Sequence, residues 1–571
     1  MEFDEVLSAV GDLGRYQKWL FVLLCVPASL PAAVSIFNHM FISGVPEHQC
    51  HPIISADRAS LLEKSLAAPE DFQTAMTALF IPRVRSGGFS ECLQYDIEAD
   101  AAIDQVIAQN RYLNLTIIDS FVAQKQWTGI KCLHGWDYDR AEYTETLVTM
   151  WDLVCDKSWL ISTAQSAFFV GGTIGSLALG RISDKWGRRP AFLLAMSAMI
   201  FGNLAEILPP NYVAYSAMRF IVGLSYPSVY NIAFLMLSEV IGPDRRMSAA
   251  MLFSLAFSIS MMLYALIAHF IKHWRVLQAA TSLPMVLLVG YYWLVPESPR
   301  WLISRGRMDE AEVIIQRIAS VNGVQLAPDF LATSLAKALS KSPESSSEQK
   351  LEEIGILQLL NYPRVMLKLI VIVSTWAVTA MMNNGLSLAS PLLPSGACFA
   401  FFMAGLCEIP GTLFAWATTE RYGRRGVMLG TLFVGGVLAA ATALIPDDLP
   451  WLIVLMPSLA KMVAAVTFCV IYTFAGELFP TVIRGSALGA ASTGSQIALI
   501  GAPYILLLGD ISGPSVPYVV FGVLSMLVAP LMLTLPETLN APLPTTMEES
   551  EHYADYLKRA KTAVRSQSGI R

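Results

Sequence analysis

Asp184-Lys-Trp-Gly-Arg-Arg189 returns 236 residues later as Glu420-Arg-Tyr-Gly-Arg-Arg425, and this echo decides how the chain is built. Two further pairs keep the register. Glu239 followed by Arg246 returns as Glu477 followed by Arg484, an offset of 238, and Pro296-Glu-Ser returns as Pro536-Glu-Thr, an offset of 240. Three matches that drift by only four residues mark an internal duplication. In the fullest copy, Gly180 to Arg189, glycines permit a tight turn, and an acid among fixed cations offers ion pairs that can form and break. A single copy would be read as a basic turn and nothing more. Two copies in register ask for a shared task.

The surrounding sequence is apolar. Only 15% of the 571 residues are charged, against about 25% in ordinary globular proteins, and the mean hydropathy is +0.51. A membrane span takes about 20 mostly apolar residues. Twelve stretches qualify, near 19–43, 158–179, 190–208, 212–237, 247–271, 276–295, 365–388, 396–419, 427–445, 450–475, 486–508 and 516–536. The first is not expected to be a cleaved signal, because Glu2, Asp4, Glu5 and Asp12 precede it and the run is span-length. Cytosolic links collect Lys and Arg. Arg181, Lys185, Arg188 and Arg189 fall between spans two and three, Arg245 and Arg246 between four and five, Arg421, Arg424 and Arg425 between eight and nine, and Arg484 between ten and eleven. The opposite links 209–211, 389–395, 446–449 and 509–515 have neither residue type, while Lys272 and Arg275 are the exception. Both termini are therefore expected in the cytosol. A net charge of -6 gives no basic surface for nucleic acid. Dinucleotide, zinc-protease and P-loop patterns are absent, so neither an enzyme nor a nucleotide-binding protein is expected.

Parallel repeats of six helices define the major facilitator architecture, in which a solute site lies between the halves near mid-membrane. The expected fold is an all-α membrane protein with twelve transmembrane helices in two six-helix halves. Residues 1–18 form a cytosolic N-terminus, 19–296 the first bundle, 297–364 a cytosolic linker, 365–536 the second bundle and 537–571 a cytosolic tail. The repeated motifs then read as a cytosolic gate. Asp184, Arg188, Glu239, Arg246, Glu420, Arg424, Glu477 and Arg484 are expected to form ion-pair clusters that help hold an outward-facing state closed below.

Residues 44–156, inserted in the first bundle, lie outside the cell on this topology. Their four cysteines, Cys50, Cys92, Cys132 and Cys155, read as two disulfides in an oxidising compartment, with three connectivities open. Asn114-Leu-Thr116 is a glycosylation sequon on the same side. Cys25, Cys398, Cys407 and Cys469 lie in or near spans and read as packing thiols. The linker carries a helical stretch near Met308 to Ala319 and a polar run, Lys341 to Lys350, in which Ser345 to Ser347 read as plain linker or as a phosphorylation site.

Six segments then resemble one family. They are Phe3-Asp-Glu-Val6, Cys132-Leu-His-Gly-Trp136, Trp151-Asp-Leu-Val-Cys155, Gly180 to Arg189, Pro296-Glu-Ser-Pro-Arg-Trp-Leu302 and Glu477-Leu-Phe-Pro-Thr-Val-Ile-Arg484. Over nearly the whole chain the sequence resembles the organic cation, anion and carnitine transporters of solute carrier family 22, and the long loop after the first helix is similar too. The four cysteines and Ile303 to Ile315 look most like the carnitine and zwitterion branch. The resemblance implies a plasma-membrane, multi-pass carrier of small organic solutes. It needs no cofactor beyond a coupling ion such as Na+ or H+. Its partners are the solute and the bilayer, with no nucleic acid and no nucleotide. Two departures matter. The helix-eleven position that resembles Asp in the cation branch and Arg in the anion and carnitine branches is Gln496, and the aromatic expected two residues before Gly385 is Asn383.

Ionisable groups inside spans are costly and default to functional candidates. Glu408, just before Pro410, and Lys461 are such groups, readable as a structural pair or as substrate or ion ligands. Tyr226, Tyr230 and Phe234 recur every four residues, as a pore face for organic ammonium groups or as a helix contact. Trp376 and Asn383 share a face, Tyr472 shares one with Lys461, and Ser35 and Asn38 are placed to contribute from a helix kinked at Pro27 and Pro31. His39 and His269, near helix ends, read as interfacial. The expected solute is an organic cation or zwitterion. The alternatives are an organic anion exchanger that uses Lys461, and a receptor-like protein that has lost transport.

Overall fold

The computed structural model describes residues 7, 10–11, 13–66, 72–83, 88–110, 113–125, 127–327, 361–446, 448–480, 483–539, 544 and 547–553. The segments Phe3 to Val6, Lys341 to Lys350 and Ser345 to Ser347 lie outside them. The chain divides into two compact units, one of residues 1–41, 162–271 and 275–571, the other of residues 42–161 with 272–274.

The larger unit is a bundle of long helices: α1 (Arg15–Ile42), α2 (Trp159–Trp186), α3 (Arg188–Ala205), α4 (Tyr212–Ser238), α5 (Pro243–Phe270), α6 (Trp274–Ser282), α7 (Pro363–Leu388), α8 (Ala397–Tyr422), α9 (Arg424–Ala441), α10 (Pro450–Leu478), α11 (Arg484–Ser512) and α12 (Val516–Val528). Tighter turns extend α6 through Leu283–Gly290 and α12 through Ala529–Thr534. Ten of these helices are long and apolar enough to cross a membrane. The other two, α2 and α3, have the length, but Gln165 and the many Ser, Thr and Gly residues of α2, and Arg188 and Arg189 at the start of α3, dilute their apolar runs. In lipid the helices gain little from hiding apolar area, so close packing and internal hydrogen bonds must hold them together. Phe474 and Ile471 of α10 pack among Val365, Leu369 and Ile372 of α7 and Leu432 of α9.

The duplication is explicit at the basic end of the bundle. Gly187 and Gly423 both take positive φ, +117° and +86°, and an added Cβ would lie 2.3 and 2.5 Å from Oε2 of Glu297 and Glu537. Only glycine both turns the chain there and admits that carboxylate. Each glutamate then accepts from the first free N–H groups of the next helix: Arg188 and Arg189 donate to Glu297 at 3.0 and 3.2 Å, Arg424 and Arg425 to Glu537 at 2.9 and 3.1 Å. The repeated Pro-Glu-Ser/Thr and Gly-Arg-Arg motifs are thus two parts of one helix cap. Burial raises the Glu297 carboxyl above its ordinary range, and the N–H groups of Ser298, Arg189 and Arg188 offset part of that rise.

A second quasi-symmetric feature ties down the first helix of each half. Asn322, at the end of helix Met308–Asn322, accepts from Tyr16 N–H at 3.0 Å and donates to Val10 O and Gln17 Oε1, both at 3.0 Å. Glu551, in helix Met547–Glu551, accepts from the N–H groups of Arg364 and Val365 at the start of α7, at 3.1 and 3.0 Å.

The smaller unit is a mixed fold. Strands β1 (His48–Cys50) and β4 (Trp136–Tyr138) pair antiparallel, as do β2 (Leu93–Tyr95) and β3 (Gly129–Lys131). Short helices supply its core, in which Leu79, Ala102, Ile103, Val106 and Ile118 are fully enclosed. Cys50 pairs with Cys132, and Cys92 with Cys155. Asn114 caps the helix it precedes by accepting from Ile117 N–H at 2.8 Å, and its side chain is exposed.

Candidate solute-binding cavity

Between the two halves of the bundle lies a cavity of about 920 Å³ including its open side, walled by α4, α5, α7, α8, α10 and α11. Tyr226, Tyr230, Trp376, Asn383, Glu408, Tyr472 and Gln496, all expected in the cavity, line it. Phe257, Phe468, Asn231 and Asn384 join them, and Cys469 is also on the wall. Trp376 and Tyr472 meet edge to face at 4.4 Å, and Tyr230 meets Phe253 and Phe257 at 4.8 and 5.8 Å. The result is an aromatic box interrupted by amides and hydroxyls.

Two residues expected on this wall are behind it. Phe234 turns onto Phe253, with ring centroids 5.6 Å apart. A helix advances about 100° per residue, so each four-residue step drifts by about 40°, and after two steps the third aromatic has left the face. Lys461 is 1% exposed and points at Glu408, whose Oε1 lies 2.6 Å away. Its remaining donors go to Asn383, to the carbonyl oxygen at 2.6 Å and to Oδ1 at 2.9 Å. Ser258 donates to the other Glu408 oxygen at 2.7 Å.

Ser35, Asn38 and His39 do not reach this chamber either. They belong to a polar cluster inside the first half, centred on Arg219 of α4 and Glu206, both 0% exposed and 3.8 Å apart. Arg219 also donates to Ser35 O at 2.9 Å and to Gln165 Oε1 at 2.7 Å, and lies 4.5 Å over the Phe168 ring. Gln278 donates to Asn203 O, Glu206 and Ser282, and accepts from Asn38. Tyr264 donates to Asn38 at 2.6 Å, and Asn203 donates to Ser35 at 3.1 Å. His39, expected at an interface, is 4% exposed and shares a hydrogen bond with Tyr215 at 2.8 Å. His269 is exposed at the end of α5. The sequence reading missed Arg219 and Glu206, although they carry the same signal as Glu408, a charge in an apolar run.

The gate residues stay within their own halves. Arg188 meets Asp184 at 3.0 Å and Glu239 at 3.2 Å, and Arg424 meets Glu477 at 3.0 Å. Thr538 donates to the second Glu477 oxygen at 2.6 Å. Arg246 reaches the carbonyl of Ser238, the last residue of α4, and that of Ile241 just beyond it, and Arg484 reaches Phe479 O. Glu420 is exposed and pairs with no cation among the described residues. Bonds between the halves gather instead toward the other end, where α1 finishes and α2 begins. Ser162 and Ser166 of α2 donate to Pro503 O and Ile500 O of α11 at 3.0 and 2.8 Å. Phe37 and Phe41 pack edge to face on Phe401 of α8 at 4.8 and 5.4 Å.

A twofold-repeated helical bundle with an aromatic chamber between its halves is the build of a major facilitator transporter. The proton:xylose symporter XylE of E. coli matches with a TM-score of 0.55 over 94% of this chain and 99% of that chain, at 17% identity, a likeness of fold alone. Residues 108–549 match the family described as sugar (and other) transporter. The organic cation transporter protein of Drosophila melanogaster is 34% identical over 97% of this chain and 95% of its own length. The beta-alanine transporter of the same fly is 32% identical over 96% and 89%. Human organic cation/carnitine transporter 2 is 30% identical over 96% and 94%. The chain belongs to the sugar (and other) transporter family of the major facilitator superfamily, with the organic cation and carnitine carriers of solute carrier family 22. These relatives are transporters and not enzymes.

Proposed function

We propose that this chain carries small organic cations or zwitterions across the plasma membrane by alternating access of its two halves around the aromatic chamber. The observation that carries the reading is that chamber: a solute-sized space walled by Tyr226, Tyr230, Trp376 and Tyr472, with one carboxylate, Glu408. Aromatic faces attract ammonium groups when water is excluded, and the relatives named for organic cations and beta-alanine point to the same chemistry. The solute gradient, the membrane potential or a coupled ion such as Na+ or H+ supplies the drive. For a monovalent cation the potential is worth about 2.3 kcal/mol per 100 mV.

In this reading α2 and α3 complete a set of twelve spans, and both termini lie in the cytosol. The unit built on residues 42–161 faces the oxidising exterior with its cysteines paired and Asn114 glycosylated. Inter-half bonds at the end opposite Arg188 and Arg424 support a chamber facing the cytosol. The gate clusters brace each half in this arrangement and would help close the cytosolic side in the other. The anion-exchange alternative needs Lys461 within reach of a solute, and Glu408 and Asn383 cover it. A receptor that had lost transport would have little use for paired gate motifs.

Radiolabelled amine uptake by cells expressing the chain, against Glu408→Gln and Tyr230→Ala, tests the assignment. Both variants are expected to lose uptake at equal surface expression. Unchanged uptake in both would remove the chamber from the mechanism, and a transport-dead wild type that still binds ligand would favour the receptor.

A further inference from the structure

In the smaller unit, away from the helical bundle, one histidine faces a disulfide. His48 of β1, Cys92 and Cys155 bring a ring nitrogen and two sulfurs within 4.8 Å of one another. Nε2 of His48 lies 3.9 Å from Cys155 Sγ. The other ring nitrogen, Nδ1, is 3.1 Å from Pro46 O. A carbonyl oxygen only accepts, so Nδ1 carries the hydrogen, and Nε2 of the neutral ring keeps its lone pair on the side of the sulfur. Metal-binding histidines are oriented in the same way, by an acceptor behind the ring. Tyr138, paired with His48 across the β1–β4 ladder, packs against the ring at 5.9 Å between centroids.

The two disulfides differ in access. Cys50 is 2% exposed, whereas Cys92 and Cys155 are both half-buried. A small dithiol can therefore reach the Cys92–Cys155 bond. The dithiol is oxidised to a disulfide, and the Cys92–Cys155 bond takes up its two electrons and two protons and opens to two thiols. Two thiolates and one imidazole are ligands that suit zinc. In tetrahedral zinc, with bonds of about 2.3 Å to sulfur and about 2.0 Å to nitrogen, those two atoms sit about 3.5 Å apart. The 3.9 Å between Nε2 and Cys155 Sγ is close to that spacing before any metal arrives. Both thiol protons leave as the metal binds, and water can fill the fourth position.

We propose that reduction of the Cys92–Cys155 disulfide creates a zinc site with His48, so that the smaller unit is clipped by sulfur when oxidised and by metal when reduced. Purified full-length protein, either oxidised or treated with dithiothreitol and desalted, is to be titrated with Zn2+ alone. Alkylation of each cysteine is read by peptide mass spectrometry, and Tm is read in parallel. In the reduced protein zinc is expected to shield Cys92 and Cys155, and no other cysteine, from alkylation and to raise the Tm. In the oxidised protein it should do neither. Co2+ in place of zinc is expected to give a thiolate-to-metal charge-transfer band that saturates at one ion per chain. His48→Ala is expected to weaken zinc binding by at least about tenfold, since even losing the partner behind a ligand costs that much, while both disulfides still form on oxidation. Zinc that leaves the Tm and cysteine reactivity of the reduced wild type unchanged, or that acts equally on the oxidised protein, would overturn the proposal. Shielding in His48→Ala as complete as in wild type would overturn it too. The Tm comparison needs no variant, so it decides the matter even if His48→Ala fails to fold.

Discussion

Each half of the bundle buries an ion pair, and the two pairs are surrounded differently. In the first half Arg219 and Glu206 are both 0% exposed, 3.8 Å apart, and wired by hydrogen bonds to α1, α2 and α6. In the second half Lys461 and Glu408 are 2.6 Å apart, and Glu408 also forms part of the chamber wall. One duplicated unit has thus kept its charges sealed as a brace, while the other presents a charge, already neutralised, to the solute. Burial alone does not separate the two roles. What lies on the far side of the carboxylate does.

The largest effects should fall on the sealed pair. Arg219→Met leaves Glu206 uncompensated and is expected to cost about 3–5 kcal/mol of stability, read as a lower Tm of purified protein with or without solute. Lys461→Met should also destabilise, by about 2–3 kcal/mol, since Glu408 can turn toward the chamber. Adding Glu408→Gln should recover most of that loss without restoring uptake. If the double variant transported normally, the second pair would be a brace like the first.

Next come the turns that the halves share. Gly187→Ala and Gly423→Ala are each expected to cost about 2 kcal/mol, because each forces a side chain into a positive φ against a glutamate. Unequal melting losses would show that one half bears more strain at its turn. Tyr230→Ala should weaken amine affinity by about tenfold, consistent with about 1–2 kcal/mol for a desolvated cation–π contact, with little change in Tm. At the small end, Arg307→Ala removes an exposed pair with Glu310, 48% and 57% exposed, and is expected to leave the Tm of purified protein unchanged, because solvent screens such a pair.

The long helices and the duplication were legible because apolar length and repeated motifs are properties of consecutive residues. Tyr226, Tyr230 and Trp376 were legible for a similar reason, since helical spacing fixes which way they turn, whereas Gln496 was marked by the family resemblance. Phe234 shows where that logic ends: four-residue spacing drifts off a 3.6-residue helix, and the third member of the stripe meets α5 instead. Lys461 was visible as a buried charge, but its place behind Glu408 depends on the Asn383 oxygens of another helix. The Glu297 and Glu537 caps were seen as repeats without their purpose, because their partners are backbone N–H groups about 110 residues earlier in the chain. Ser35 and Asn38 were drawn away by Arg219, Gln278 and Tyr264, partners that no local pattern announces.

The most direct test is a cryo-EM map of the full-length protein with a bound amine. The account places the solute between the halves, within contact of Tyr230, Trp376 and Gln496 and beside Glu408, with the Glu408–Lys461 pair intact. Solute density confined to the exterior face, or a chamber filled by side chains with no solute between the halves, would contradict it.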